Sequence, residues 1–236
     1  ITESTFEADI AKIITKFEQL YGIGVRQFGV LGDDSGDLPR SVVIRVMERL
    51  QEWVDSKGDV HNLVFCPAGY NNAWWKEGEL DDYDQGFHED IQIFWTGEAV
   101  CQPIEQRTLD NFKTRDLPAG ASPRRSPLFW LNWPVNDINM KRLMMGKGSL
   151  LHTDVNVEDL EGVVTNPMQE AEASKVALFA IADYAWNVKA FNDDKSWKDS
   201  FKYIDGDAGE ALYEMAKHLS DPAPNGHGLN VGECEE

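Results

Sequence analysis

Apolar and polar residues come in blocks along this chain, and the blocks change period. Phe6, Ile10, Ile13, Ile14, Phe17 and Leu20 recur at helical spacing, which predicts a helix over residues 4–21. Ser4 and Glu7 stand at capping-box spacing, and Gly22 and Gly24 follow as a stop. Residues 25–31 form a β-prone run broken by Gly32. A second helix is predicted from Pro39 or Arg40 to about residue 56, burying Val43, Val46, Met47, Leu50 and Trp53. The alternation then repeats. Strands are predicted at 62–66, 91–95, 128–133 and 162–165, with a helix at 105–115, a loop at 116–126 and a helical turn at 141–145. Residues 74–85 are polar and aromatic, and predict irregular structure. The longest apolar-periodic helix is predicted at 168–186, with further helices at 195–203 and 206–218. The acidic residues 221–236 predict a loose tail behind a domain over 1–220.

Five strands alternating with helices argue an α/β protein with a parallel sheet. In such folds the groups just past the carboxyl ends of the strands line the ligand crevice. Here those ends carry Asp33-Asp34, Tyr70-Asn71-Asn72, Thr96, Asn132 with Asp137, and Asn166. Strand-to-helix turns are polar in any case, and that ordinary explanation suffices for Asn71, Asn72 and Asn136. It is weaker for Asn132, which sits inside the apolar run Trp130, Leu131, Trp133. A buried Asn must find partners, and a ligand is one candidate.

Charge narrows the partners. With 22 basic and 41 acidic residues the formal charge is −19, which repels nucleic acid and anionic lipid. No apolar run reaches the length of a membrane span. Cys66, Cys101 and Cys234 have no metal-ligand or disulfide spacing, and Cys66 and Cys101 read as small buried hydrophobes. No cofactor and no metal is expected. A calcium loop at Asp33, Ser35 and Asp37 fails because Leu38 and Ile44 stand where Gly and Glu are needed. The pair Asp33-Asp34 is either a solvated acidic turn or two carboxylates of which one is held protonated by the other. The second possibility is the equipment of glycosidic acid/base chemistry.

The ordered motifs resemble a known family. They run from Gly24-Val25-Arg26-Gln27-Phe28 to Asp33-Asp34, then Phe65-Cys66-Pro67 to Tyr70, and Phe94-Trp95-Thr96-Gly97. The run Trp130-Leu131-Asn132-Trp133-Pro134-Val135-Asn136-Asp137 follows, then Val164-Thr165-Asn166-Pro167-Met168 and Ala182-Asp183-Tyr184-Ala185-Trp186-Asn187. The set is similar to the catalytic domain of glycoside hydrolase family 84, the β-N-acetylglucosaminidases that include O-GlcNAcases and bacterial hyaluronidase-type enzymes.

The resemblance implies a partial (β/α)8 barrel of about five parallel strands, and a retaining, substrate-assisted hydrolase of GlcNAc-bearing glycans or glycoproteins. Carried over, Asp33 orients the acetamido group and Asp34 is the general acid and base. Tyr70 bonds near the oxazoline, Thr96 and Trp130 wall the acetamido pocket, and Asn132, Asp137 and Asn166 hold sugar hydroxyls. The family usually has a bulky residue at position 32, Ile at 35 and Thr-Glu at 68–69; this chain has Gly32, Ser35 and Ala68-Gly69. The chain starts at Ile1, and the resemblance places that start just before the barrel's fourth strand. Three strands, with a pocket glycine and lysine, are therefore expected elsewhere, and self-association or pairing with that half follows. A bacterial member would be secreted or displayed on the cell surface. Two other functions are weighed: a GlcNAc- or glycoprotein-binding fragment without turnover, and a receiver-like phospho-acceptor. The latter needs a third Asp and a Lys at later strand ends, where only Asp137 follows a strand closely, and the chain is double the length it needs.

Overall fold

The computed structural model describes residues 1–33, 36, 38–137 and 140–219. The acidic tail and Asp34 lie outside the described residues. The chain forms two compact units, residues 1–70 with 74–94, and residues 71–73 with 95 onward.

In the first unit, α1 (Phe6–Gly22) and α2 (Arg40–Lys57) accompany strands β1 (Gly29–Leu31) and β2 (Val64–Cys66). β3 (Gln92–Trp95) continues them, and β1, β2 and β3 pair in parallel in chain order. The stripe predicted for α1 buries Phe6, Ile10 and Phe17. Phe17, Phe28 and Trp53 meet with ring centroids 4.7–5.3 Å apart, edge contacts that add to their area burial. The Trp53 indole N–H donates to Glu18 at 2.7 Å, so this aromatic cluster buries no orphan there.

Three expectations need correcting in this unit. The Ser4–Glu7 capping box does not form: Thr5 is the N-cap, with no side-chain cap bond. The first strand is shorter than residues 25–31: Val25 N–H bonds back to Leu20 O, and only Gly29–Leu31 pair with β2 as a strand. Residues 74–85 are not wholly irregular, since α3 spans Glu79–Gly86. Its Leu80 and Tyr83 are buried, and Phe65, Tyr83 and Phe87 stack and edge-pack at 5.1–5.2 Å. A polar segment with so few apolar residues becomes a helix because β2 supplies the surface it lies on.

In the second unit β4 (Leu128–Leu131) and β5 (Gly162–Thr165) pair in parallel, from Leu128 opposite Gly162 to Leu131 opposite Thr165. α4 (Gln106–Thr114) and α5 (Ala171–Trp186) pack with them through Leu109, Phe129, Leu131, Trp133, Ala177, Ile181 and Tyr184. α6 (Asp193–Ile204) and α7 (Gly209–Ala216) add a second cluster around Trp197, Phe201 and Ala216. The Trp197 indole N–H donates to Met145 O at 2.8 Å. The helical turn expected at 141–145 is a turn and bend without helix. Cys66 and Cys101 are buried thiols, as expected of small hydrophobes, and burial pushes the Cys101 thiol up to about 12. No described helix is long and apolar enough to cross a membrane.

Two glycines on neighbouring turns should respond in opposite ways. A Cβ on Gly209 would stand 2.7 Å from the Phe201 carbonyl oxygen, whereas one on Gly206 would meet nothing within 4 Å. Gly209→Ala should therefore lower stability by about 1–3 kcal/mol, and Gly206→Ala should be neutral or slightly stabilising. Thermal unfolding of the two variants checks this; equal midpoints would refute it.

Candidate active site

The site residues are best taken from the ends of the strands outward. β1 ends at Leu31, and Gly32 follows it against β2: its N–H donates to Cys66 O at 2.8 Å. A Cβ at Gly32 would stand 2.9 Å from that same oxygen and 3.6 Å from Ala68 N. The glycine is thus demanded by close approach, and the bulky residue usual in the family would not fit this register. Asp33 comes next, half-buried in a turn. Tyr70, at the end of the loop after β2, is buried at 8% exposure. Its ring meets that of Trp74 edge-on, with centroids 5.1 Å apart. Asp33, Gly32, Ala68, Tyr70 and Trp74 all belong to the first unit.

The second unit joins three strand ends through side-chain amides. Asn132, just past β4, is 5% exposed and donates its Nδ2–H to Val100 O at 2.7 Å. Its Oδ1 accepts from Asn166 Nδ2, just past β5, at 3.2 Å. The loop after β3 reaches Val100 by way of Thr96, which is fully buried and donates its hydroxyl to Ala99 O at 2.7 Å. Asn166 is held in turn by backbone: its N–H donates to Leu131 O and its carbonyl accepts from Val135 N–H at 2.9 Å. Thr165 Oγ1 donates to Trp133 O at 2.5 Å. Asn132 and Asn166 therefore share one network, as their places at neighbouring strand ends suggest.

The remaining candidates differ in exposure. Trp130 is half-buried between the fully buried Phe129 and Leu131, so it is not simple core. Asp137 is exposed beyond the Pro134 turn. Thr96 spends its hydroxyl proton on its own loop, so any contact with a ligand is through its methyl group or oxygen lone pair. Asn136 is buried and braces the loop, donating to Arg142 O at 2.7 Å. Asn71 is buried and accepts from Ala73 N–H, while Asn72 N–H donates to Gly97 O at 2.9 Å. Loop duty accounts for the Asn136 side chain, whereas Asn71 Nδ2 and both polar atoms of the Asn72 side chain are buried without a hydrogen-bond partner. Among the described residues no group of His, Cys, Asp and Glu could hold a metal ion. Trp74 and Glu79 are absent from the sequence-based candidates, although the pair Trp74-Trp75 in an otherwise polar loop was a signal.

Against this geometry the comparisons are decisive. A family model described as β-N-acetylglucosaminidase matches residues 2–219. The chain belongs to that family. Two curated relatives, the protein O-GlcNAcases of Rattus norvegicus and Mus musculus, are each 24% identical over 207 residues, covering 81% of this chain and 22% of their own length. Among solved structures, CpGH84D is 50% identical, with a TM-score of 0.86 over 99% of this chain and 38% of that one. CpGH84B is 28% identical, with a TM-score of 0.78 over 90% of this chain and 38% of that one. An O-GlcNAc hydrolase mutant from Thermobaculum terrenum, 24% identical with a TM-score of 0.73, shares the fold over 92% of this chain and 48% of that one. The resemblance to glycoside hydrolase family 84 holds, and with it the α/β architecture of parallel strands and helices. The chain spans about a fifth of the length of these curated relatives and well under half of CpGH84D.

The Asn132 amide yields a pH-dependent test. In Asn132→Asp, an ionised carboxylate would face Val100 O and no longer donate to it, so the folded state favours the protonated acid and raises its pKa. Stability should then be close to wild type below pH 4 and fall as pH rises through the raised value, by roughly 1–3 kcal/mol at pH 7. Denaturant midpoints at pH 4 and pH 7 measure it; a pH-independent loss would rule out the donor role.

Proposed function

We propose that the chain is the catalytic part of a retaining β-N-acetylglucosaminidase that works through its substrate's own acetamido group. The observation that carries this is the pair Asp33-Asp34 directly after β1, in a chain whose residues 2–219 match the β-N-acetylglucosaminidase family. The substrate is a glycan or glycoprotein bearing terminal GlcNAc; the O-GlcNAcases of rat and mouse are consistent with it.

In the proposed reaction the acetamido oxygen attacks the anomeric carbon while Asp34 gives its proton to the leaving oxygen. Asp33 accepts the acetamido N–H and so makes the carbonyl oxygen a better nucleophile. An oxazoline results. Water then adds to the anomeric carbon, Asp34 takes the proton, and the oxazoline C–O bond at that carbon breaks, giving net retention. Tyr70 bonds beside the oxazoline, Thr96 and Trp130 flank the acetamido methyl, and Asn132, Asp137 and Asn166 receive sugar hydroxyls. The amide network supports such a role, since Asn132 and Asn166 are held in place before any ligand arrives.

The two aspartates should separate kinetically. Asp34→Asn should lower turnover by roughly 10²–10⁴-fold for an alkyl GlcNAc glycoside and far less for one with a very acidic leaving group. Asp33→Ala should weaken N-acetyl-bearing inhibitors much more than their glucose counterparts. Equal losses across leaving groups, or across the inhibitor pair, would remove the respective role.

A complementing barrel half is part of the proposal. A barrel of this type closes with eight strands, and β1 presents Gly29 and Leu31 to solvent, Leu31 at 59% exposure. β5 is half-buried along its whole length, and α5 carries Leu178 and Trp186 exposed at 39% and 91%. Such edges and faces recruit partners. The isolated 236-residue chain should therefore self-associate and turn over slowly. Light scattering with a chromogenic GlcNAc glycoside tests this, and a monomeric, fully active chain would overturn it.

A further inference from the structure

Trp74 is 50% exposed beside the buried Tyr70, and the two rings meet at 79°. The loop that carries it is braced from both sides. A Cβ at Gly69 would stand 2.6 Å from Trp75 Cα and 2.9 Å from Glu79 Oε2, so the loop doubles back over position 69 only because no side chain is there. Glu79, 6% exposed, accepts the Lys76 N–H at 3.0 Å and the Tyr83 hydroxyl at 3.3 Å. Gly69 replaces the Glu usual in the family, and a glutamate could not coexist with this loop path. The substitution is therefore tied to the placing of an exposed indole on the loop that Gly32 adjoins: Gly32 abuts Ala68 and Cys66, Tyr70 follows, and Trp74 leans on Tyr70.

We propose that Trp74 is the platform for the sugar ring on the leaving-group side of the site, and that the ring it takes is a neutral hexopyranose. This rests on the GlcNAc reading above. A pyranose presents a face of C–H bonds that covers an indole face and removes apolar area from water. The surroundings select against charge. Residues 76–84 hold Glu77, Glu79, Asp81, Asp82 and Asp84 against the single Lys76. The nearby Arg40 is already spent on Asp82 at 2.7 Å and on Glu77 O at 2.8 Å. A uronate carboxylate at this position meets a segment in which five acids stand against one lysine. A GlcNAc-terminated chain whose next sugar is a uronic acid is thereby disfavoured against one whose next sugar is neutral.

Calorimetric titration with three ligands tests this: GlcNAc, a sulfur-linked N,N′-diacetylchitobiose that resists hydrolysis, and the hyaluronan trisaccharide with GlcNAc at its non-reducing end. The wild-type protein should bind the chitobioside roughly three- to tenfold more tightly than GlcNAc, and the trisaccharide no more tightly than GlcNAc. Trp74→Ala should abolish the chitobioside-to-GlcNAc ratio, Trp74→Phe should restore part of it, and Trp186→Ala, which removes an exposed indole at the end of α5, should leave it intact. GlcNAc binding without any gain for the chitobioside, an undiminished ratio in Trp74→Ala, or a trisaccharide bound as tightly as the chitobioside would each overturn the inference alone. The titrations use the protein together with its complementing barrel half, and absence of GlcNAc binding there would overturn the GlcNAc reading and this inference with it.

Discussion

A buried side-chain amide cannot be left half satisfied, and the second unit is arranged around one. Asn132 gives an N–H to Val100 O and takes one from Asn166, so the loop after β3 and the ends of β4 and β5 are held by a single group. Losing either partner would leave a buried polar atom unpaired at a cost of about 1–3 kcal/mol. The backbone reinforces it, since Asn166 bonds both Leu131 O and Val135 N–H. Rigid polar groups at strand ends are what a sugar site needs, because sugars are recognised by directional hydrogen bonds.

The first unit reaches the same end by a different means, the omission of side chains. Gly32 allows β1 to end against Cys66, and Gly69 allows the following loop to fold back on Trp75. Both positions depart from the family's usual residues, and the departures agree with each other. Beneath them lie two aromatic clusters, Phe17 with Phe28 and Trp53, and Phe65 with Tyr83 and Phe87. Aromatic packing carries the burial while glycine sets the geometry of the chain above it.

Family membership extends over 2–219, while the relatives are several times longer in part. The proposed chemistry is assigned only to strand ends that lie within this matched stretch.

Periodicity by itself determined the helices α1, α2, α4, α5, α6 and α7, the positions of all five strands and the parallel α/β class, because long amphipathic stretches and short β-branched runs bury only one way. Motif order determined the family, and the buried cysteines and the structural duty of Asn136 were also readable from composition and turn chemistry. Tertiary structure alone decided the rest. It made a helix of the polar segment Glu79–Gly86, because Phe65 offered a surface for Leu80 and Tyr83 that no local pattern announces. It cut β1 to three residues, with Val25 N–H bonded back to Leu20 O at the end of α1 instead of to β2. It gave Thr96 and Asn132 their partners, Ala99 and Val100, which lie in a loop whose path no spacing rule predicts. And it turned Gly69 from an apparent defect into a requirement, since the atom that forbids a side chain there belongs to Trp75, brought close by the folding of the loop.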